Sequence, residues 1–550
     1  MTAVPSVPPS RPPVSALRFV APVLLLALGL RLWGIDWGLP NDARWFSYHV
    51  DESVVVTFSR AVHPLLLLLD PGFYNYGSLS LLLNGFFIHL GEMIGLVRPG
   101  PSPQIYSASA LLVARLVTVG LGVGTCGFLF GAGRLLYGIT GGVVAATLYA
   151  VAPLAVQHGH FATVDVPATF WVAGSLYFAV RHLSDERKAR DLILAGVWAG
   201  LAAATKYNMG LAVLPAFVAW WLGQPRDRHG VALVAGTAAL GFLLGCPGAL
   251  LNFPAFFAGL TEEMGHVAKG HDRVFAGTPP GFLYHIAFNL AWGIGWPLVI
   301  AVLVGVGNAL VRRRPGELAL LAFTLPYYVL IGMAAVKFAR YTLPLMPPLF
   351  VLAGGLTAIS TGRVGRMALP ALGAGAVYAL LMACGFDAVM TRPDPRDRAA
   401  AFIREKGFTS VGFPTGPWFY SPALNPLLGA NVPTAAKKAA AETTEPRLLA
   451  ADGEWNVDQL RAENPDAVAL SELNEYADAQ RIRFPAAITF LSYLQENYPK
   501  QEVFANPVSF LGIPFSRLRT DSGLPTPGLP TQDLPHDMNY TNPTTVVRYR

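Results

Sequence analysis

Residues 191–222 read DLILAGVWAGLAAATKYNMGLAVLPAFVAWWL, a run of 32 residues whose only charges are Asp191 and Lys206. Such a run belongs in a bilayer. As one helix rising about 1.5 Å per residue it would measure about 48 Å, against a hydrocarbon core of about 30 Å. It therefore reads as two short helices meeting at Lys206-Tyr207-Asn208, with its one cation at the joint.

The same composition continues on both sides. Apolar runs occupy 16–35, 109–133, 139–157, 165–181, 231–251, 284–311, 317–335, 341–360 and 367–387. With the split run they make eleven expected membrane spans, and a shorter stretch at 78–97 is left over. The 550 residues are 53% hydrophobic and only 13% charged, where soluble proteins carry about 25% charged residues. A soluble multidomain enzyme is excluded. Disorder is excluded by the 11% aromatic content and the abundance of Leu, Val and Ala. Cys126, Cys246 and Cys384 lie inside apolar runs and read as small buried hydrophobes, not as a disulfide frame or a zinc site.

Charge divides the chain. Residues 1–390 carry 24 Lys/Arg and 16 Asp/Glu, and residues 391–550 carry 16 and 18. The second part has the charge density of a soluble domain, and the boundary falls in the Pro- and charge-rich stretch around Asp387–Asp397. The division is a membrane domain over 1–387 and an α/β domain over 388–550. The basic excess of the first part sits in short loops and is no nucleic-acid signal.

Loop charge sets orientation. With eleven spans and a cytosolic N-terminus, the cytosolic loops hold Arg11, Arg18, Arg134, Arg181, Arg187, Lys188, Arg190, Arg226, Arg228, Arg312–Arg314, Arg363 and Arg366, which is 14 of the 24 basic residues. A further span at 78–97 would invert that bias. The stretch instead reads as an interfacial helix on the outer surface, as Asn84, His89 and Glu92 within it suit. The first run has no small-residue cleavage site and reads as an anchor, not a signal peptide. The C-terminal domain then lies outside the cytoplasm. Its pattern gives a helix over Ala399–Lys406, strands over Ser410–Phe413, Asp466–Ser471, Val503–Ala505 and Thr544–Tyr549, a helix over Ile488–Tyr498, and loops over 431–447 and 520–543.

Ionisable groups gather on the outer side. The first outer loop carries His49-Val-Asp51-Glu52, the next turn His158-Gly-His160 followed by Asp165, and the third Lys206-Tyr207. The fourth carries Glu262, Glu263, His266, Lys269 and His271, and the fifth Lys337 and Arg340-Tyr341. Arg115 lies inside a span, where a cation costs about 2.5–3.5 kcal/mol on insertion scales and needs a partner or a task. Carboxylates beside cations suit one chemistry: a general base for an acceptor hydroxyl next to a cationic grip on a phosphate leaving group. No glycine-rich nucleotide loop is present on the cytosolic side.

The stretch Arg31-Leu-Trp-Gly-Ile-Asp-Trp-Gly38 followed by His49-Val-Asp51-Glu52 resembles the opening of the polyprenyl-phosphate-dependent GT-C glycosyltransferases, those related to protein O-mannosyltransferases and the lipid A aminoarabinose transferase (glycosyltransferase family 39-like). Arg115, Asp165 before Pro167, Thr205-Lys206-Tyr207 and Arg340-Tyr341-Thr-Leu-Pro344 match in order and spacing, over roughly residues 16–360. Val50 stands where the family has Pro before the Asp-Glu pair. The ending His536-Asp537-Met-Asn-Tyr540 resembles that of the extra outer domain many bacterial members carry.

The resemblance implies a GT-C fold and inverting transfer from a polyprenyl-monophosphate sugar, a hexose or pentose. The acceptor is a protein, lipid or glycan hydroxyl, at the outer face of a bacterial cytoplasmic membrane. Asp51 is the implied base, with Glu52 and Asp165 supporting it or binding the acceptor. Arg115, Lys206, Tyr207, Arg340, Tyr341, His160, Lys269 and His271 form the implied substrate and carrier-phosphate set. No cofactor is expected, and no metal, although some GT-C branches use a divalent cation.

Taken singly, the residues leave plainer readings open. Asp51 and Asp165 suit helix N-caps, Arg115 a structural partner for a buried carboxylate, Lys206 a snorkelling cation, and the histidines interfacial polar groups. At the level of function the alternatives are a transporter or flippase, against which the lack of an internal repeat counts, and a non-catalytic binder of polyprenyl lipid.

Overall fold

The computed structural model describes residues 16–102, 105–184, 188–223, 229–270, 273–359, 362–430, 432–450, 453–519 and 529–550. Arg11, Arg187, Arg226, Arg228 and His271 lie outside these, as do the side chains of Lys269, His266 and Arg363. The chain is an α-helical membrane protein with a C-terminal region that contains sheets.

Among the described residues four helices are long and apolar enough to cross a bilayer: Ala108–Val151, Pro315–Met333, Ala339–Ala358 and Arg366–Glu405. The first is two helices that meet at Gly138, whose φ of 80° breaks the helical path between the expected spans at 109–133 and 139–157 and brings Gly142 back against Phe130 and Arg134. The other expected spans are helices too, shorter or less apolar: Leu17–Leu32, Asp165–His182, Ala189–Thr205 and Gly230–Gly245. The 32-residue run breaks at Lys206, which is extended (φ −150°, ψ 120°). Helix Ala189–Thr205 ends before it, and a 3-10 segment Tyr207–Val213 leads into helix Leu214–Leu222.

The run at 284–311 departs from the expected single span. It bends by 119° between Gly281–Ile294 and Trp296–Arg312. Gly295 at the bend has φ +83°, which glycine alone adopts without strain, and Pro297 restarts the helix behind it. The leftover stretch forms helix Leu79–Met93, packed on helix Val50–Ala61.

The C-terminal sheet has the order Arg447–Ala450, Ser410–Phe413, Ala467–Ser471, Thr545–Tyr549, Lys500–Phe504. The first three strands are parallel, and Thr545–Tyr549 runs antiparallel to both its neighbours. Ala467–Ser471 is buried along its whole length, as its unbroken small and apolar sequence requires of a central strand. Two expectations fail here. Residues 431–447 contain helix Thr434–Thr443, because its TAAKKAAAET sequence is Ala- and Lys-rich and favours helix. Strand Arg447–Ala450 and helix Val457–Glu463 escape the sequence pattern, being only four and seven residues long. Of the second expected loop, 529–543 holds a short bridge at Thr531–Gln532 and a 3-10 turn Met538–Thr541; the rest lies outside the described residues.

The antiparallel strand Thr545–Tyr549 fixes what precedes it. Gln157 of the helical part donates to the carbonyl of Met538 (2.8 Å) and to Thr541 Oγ1 (2.9 Å), which seats the 536–541 segment on the membrane helices. Beside it, Glu472 is buried and accepts from the backbone N–H of Gln532 (2.7 Å) and Thr544 (3.2 Å). Burial pushes its carboxyl from 4.5 up to about 7. The folded chain therefore holds a proton that the unfolded chain releases between pH 4.5 and 7, so this contribution to stability is present at the acidic end and falls as pH rises through the window. Glu472→Gln is expected to flatten that part of the pH dependence when thermal midpoints are compared with wild type from pH 5 to 8. Parallel curves for the two proteins would contradict it.

Candidate active site

Asp51 and Glu52 open helix Val50–Ala61, and neither caps it; the N-cap is His49. Neighbours on a helix diverge by about 100°, and the two carboxylates part accordingly. Glu52 turns inward and is fully buried. It accepts from Arg115 Nε and Nη2, both at 2.8 Å, from Ser47 Oγ at 2.6 Å and from the Ala162 N–H at 2.8 Å. Arg115 Nη1 donates to the carbonyls of Ile35 (2.6 Å) and Trp37 (2.7 Å). This is a bidentate pair with its lone pairs and protons satisfied. It fastens the first loop, helix Ala108–Val151 and the turn after His160 to one another. Arg115 and Glu52 are both 0% exposed and line no opening, so the geometry gives Arg115 to the carboxylate and not to a carrier phosphate. His160 is similarly enclosed, its ring nitrogens 2.9 Å and 3.0 Å from the carbonyls of Val156 and Trp33.

Asp51 turns outward into a polar pocket of about 40 Å³ shared with Tyr76, Asp165, Lys206, Glu263 and Arg340. Asp165 is the first residue of helix Asp165–His182, and Lys206 follows the last residue of helix Ala189–Thr205. Each sits at the helix end whose partial charge favours it, and since the helices run in opposite senses the two ends meet. Lys206 Nζ lies 2.7 Å from Asp165 Oδ1 and 4.6 Å from the centre of the Tyr341 ring. Arg340 stands among three carboxylates without closing on any: 3.5 Å from Asp51, 3.9 Å from Asp165 and 3.6 Å from Asp537. Its Nη1 is buried and donates no hydrogen bond within the protein.

Exposure sorts the carboxylates. The side chain of Asp51 is 22% exposed, that of Asp165 5% and that of Glu52 0%. Glu52 is locked to Arg115 and Asp165 is bonded to Lys206, so of these three Asp51 is the one open to a bound molecule; Glu263 lines the pocket from the opposite helix.

The polar pocket adjoins an apolar cavity of about 400 Å³ and shares Lys206, Glu263 and Tyr341 with it. Leu260, Met264, Leu330 and Ile331 supply its apolar wall. Tyr207 lines the cavity and holds its hydroxyl 2.8 Å from the Tyr74 carbonyl and 3.0 Å from that of Tyr76. The structure thus brings together Asp51, Asp165, Lys206, Tyr207, Arg340 and Tyr341, and leaves Glu52, Arg115 and His160 in the packing behind them. Lys269 and His271 cannot be placed among the described side chains. Sequence reasoning gave no site role to Tyr76, Glu263 or Asp537. Glu263 is one of several charges on an amphipathic helix, and Asp537 reaches Arg340 through tertiary folding that no spacing announces.

Glu52→Gln leaves Arg115 charged, buried and without its counter-ion, at an expected cost of about 3–5 kcal/mol. The expected outcome is a large fall in the thermal midpoint in detergent, with Asp51→Asn close to wild type. Equal midpoints for all three proteins would contradict the structural role of the pair.

Residues 105–258 match the family model described as dolichyl-phosphate-mannose-protein mannosyltransferase. No curated protein matches the sequence. Among solved structures, the chain is similar to ArnT from Cupriavidus metallidurans bound to undecaprenyl phosphate, at 17% identity over 72% of this chain and 73% of that one, with a TM-score of 0.47. It is similar to the archaeal oligosaccharyltransferase AglB from Archaeoglobus fulgidus in complex with an inhibitory peptide and a dolichol-phosphate, at 15% identity over 84% and 70%, with a TM-score of 0.47. A further likeness, to the Saccharomyces cerevisiae protein O-mannosyltransferase Pmt1-Pmt2 complex bound to the sugar donor, has 17% identity over 50% and 37%, with a TM-score of 0.34. The family match falls on the segment that contains Arg115, Asp165 and Lys206, and over that segment it agrees with the resemblance read from the sequence.

Proposed function

We propose that the chain is a membrane glycosyltransferase that moves a sugar from a polyprenyl-monophosphate carrier to an acceptor hydroxyl, with inversion. One observation carries the reading. A carboxylate open to solvent and two cations meet in a polar pocket whose wall continues into an apolar cavity, with Lys206 and Tyr341 common to both. A molecule with a long apolar chain, a phosphate and a sugar fits that sequence of environments. The chain would lie against Leu260, Met264 and Ile331, and the phosphate would sit at Lys206 and Arg340, the two cations of the polar pocket.

In the proposed step Asp51 takes the proton from the acceptor hydroxyl as its oxygen bonds to the anomeric carbon. The bond from that carbon to the phosphate oxygen breaks. The electron pair leaves with polyprenyl phosphate, whose charge Lys206 and Arg340 meet. Asp165 keeps Lys206 in place, and Glu52 and Arg115 hold the loop that carries Asp51. These side chains alone are assigned to the chemistry.

The pocket lies at the ends of helices remote from the basic loops at Arg181, Lys188, Arg190 and Arg312–Arg314, which supports a site on the outer face with the C-terminal domain, from about residue 388, on the same side. The setting proposed is a bacterial cytoplasmic membrane, and the acceptor a hydroxyl of a protein, lipid or glycan.

The test is donor hydrolysis by purified protein in detergent with a panel of polyprenyl-phosphate mannose, glucose and arabinose. Asp51→Asn is expected to slow turnover of the preferred donor by about 10²–10⁴-fold, with polyprenyl phosphate still bound. Unchanged turnover would overturn the assignment of the base, and failure of wild type to bind polyprenyl phosphate would overturn the carrier.

A further inference from the structure

Asp537 belongs to the C-terminal region and ends up in the membrane part's polar centre. It is fully buried. Its Oδ1 accepts from the Ala339 N–H and its Oδ2 from the Arg340 N–H, both at 2.9 Å. These are the first two N–H groups of the 3-10 helix Ala339–Leu345, whose own N-cap, Phe338, supplies no side-chain acceptor. An N-terminal turn leaves its first N–H groups without partners, and a carboxylate is the favoured acceptor there. Here it comes from 198 residues along the chain.

The same carboxylate lies 3.6 Å from Arg340 Nη1 and 3.9 Å from the ring of His158. Three residues on, buried Tyr540 packs its ring 5.2 Å from that of His49. Arg340 is thus held at its backbone and at its guanidinium by the segment that precedes the closing strand. A cation placed in the first turn of a helix is at the end that disfavours it, and Asp537 offsets that. It also opposes the pull of Asp51 and Asp165, keeping Arg340 from closing on the carboxylate that has to stay free.

We infer that Asp537 is a positioning residue for Arg340, so that docking of the C-terminal region completes the phosphate grip of the membrane part. The inference rests on the carrier-phosphate reading above. In Asp537→Asn the amide oxygen caps only one of the two N–H groups, the charge that balances Arg340 is gone, and Arg340 moves onto Asp51. The expected result is a rise of about tenfold in donor KM and in the Kd for polyprenyl phosphate, the loss of one charged interaction, with kcat within about threefold of wild type.

Arg481→Ala separates positioning from docking. Arg481 donates to the carbonyls of Ala276 (2.9 Å) and Val274 (3.2 Å) and joins the two parts without touching Arg340. It is expected to lower the thermal midpoint and leave donor KM unchanged. Should Asp537→Asn not fold, Asp537→Glu, which keeps the charge but displaces it by one methylene, decides through a rise of about threefold in donor KM. Wild-type KM and Kd in the folded variant, or an equal KM rise in Arg481→Ala, would overturn the inference while leaving the carrier reading intact. No binding of polyprenyl phosphate by wild type would remove both.

Discussion

A charge inside a bilayer has to be paired, and the pairing of Glu52 with Arg115 is the constraint from which the rest of the site follows. The two groups bind each other through two parallel hydrogen bonds and take up every remaining partner nearby, from Ser47, Ala162, Ile35 and Trp37. An arginine in helix Ala108–Val151 thereby fixes the first loop against the helix bundle. With Glu52 turned inward, the helix leaves Asp51 no direction but the pocket. One residue of an adjacent pair is sacrificed to structure, and the other gains a fixed orientation from it.

The pocket itself is an arrangement of helix ends. Asp165 begins one helix, Lys206 follows another, and Arg340 lies in the first turn of a third. The first two sit where the backbone dipoles favour them; Arg340 does not, and Asp537 compensates from outside the helical bundle. Helix breaks are therefore part of the chemistry. The extended conformation of Lys206 turns its ammonium toward Asp165, and the Tyr207 segment that follows bounds the apolar cavity. A polar pocket and an apolar cavity share one wall because the same break serves both.

Much of this was legible in the sequence, for physical reasons that differ by region. The break at Lys206 follows from length, since a 32-residue apolar run cannot fit one span. The central strand Ala467–Ser471 follows from its unbroken small and apolar residues after Asn464-Pro465. The bend at Gly295 was hidden inside an apolar run because hydropathy carries no backbone angle, and the helix Thr434–Thr443 was masked by the Pro and Thr around it. At the site, residue type and order pointed to Asp51, Asp165, Lys206 and Arg340. Spacing could not tell that Arg115 and His160 face the packing, since a helix position one step round exchanges pocket for core. Nor could it bring Asp537 to Arg340, which takes the antiparallel strand at Thr545–Tyr549 to achieve.

The central claim is that one site holds a lipid phosphate at Lys206 and Arg340 with its chain in the adjoining apolar cavity. An experimentally determined structure of the wild-type protein with polyprenyl phosphate tests this most directly. The account predicts phosphate oxygens within hydrogen-bond distance of Lys206 Nζ and the Arg340 guanidinium, Asp51 facing the vacant sugar position, and isoprenoid density running past Met264 and Ile331. Phosphate bound elsewhere, with Arg340 closed onto Asp51 and the apolar cavity filled by side chains, would contradict it.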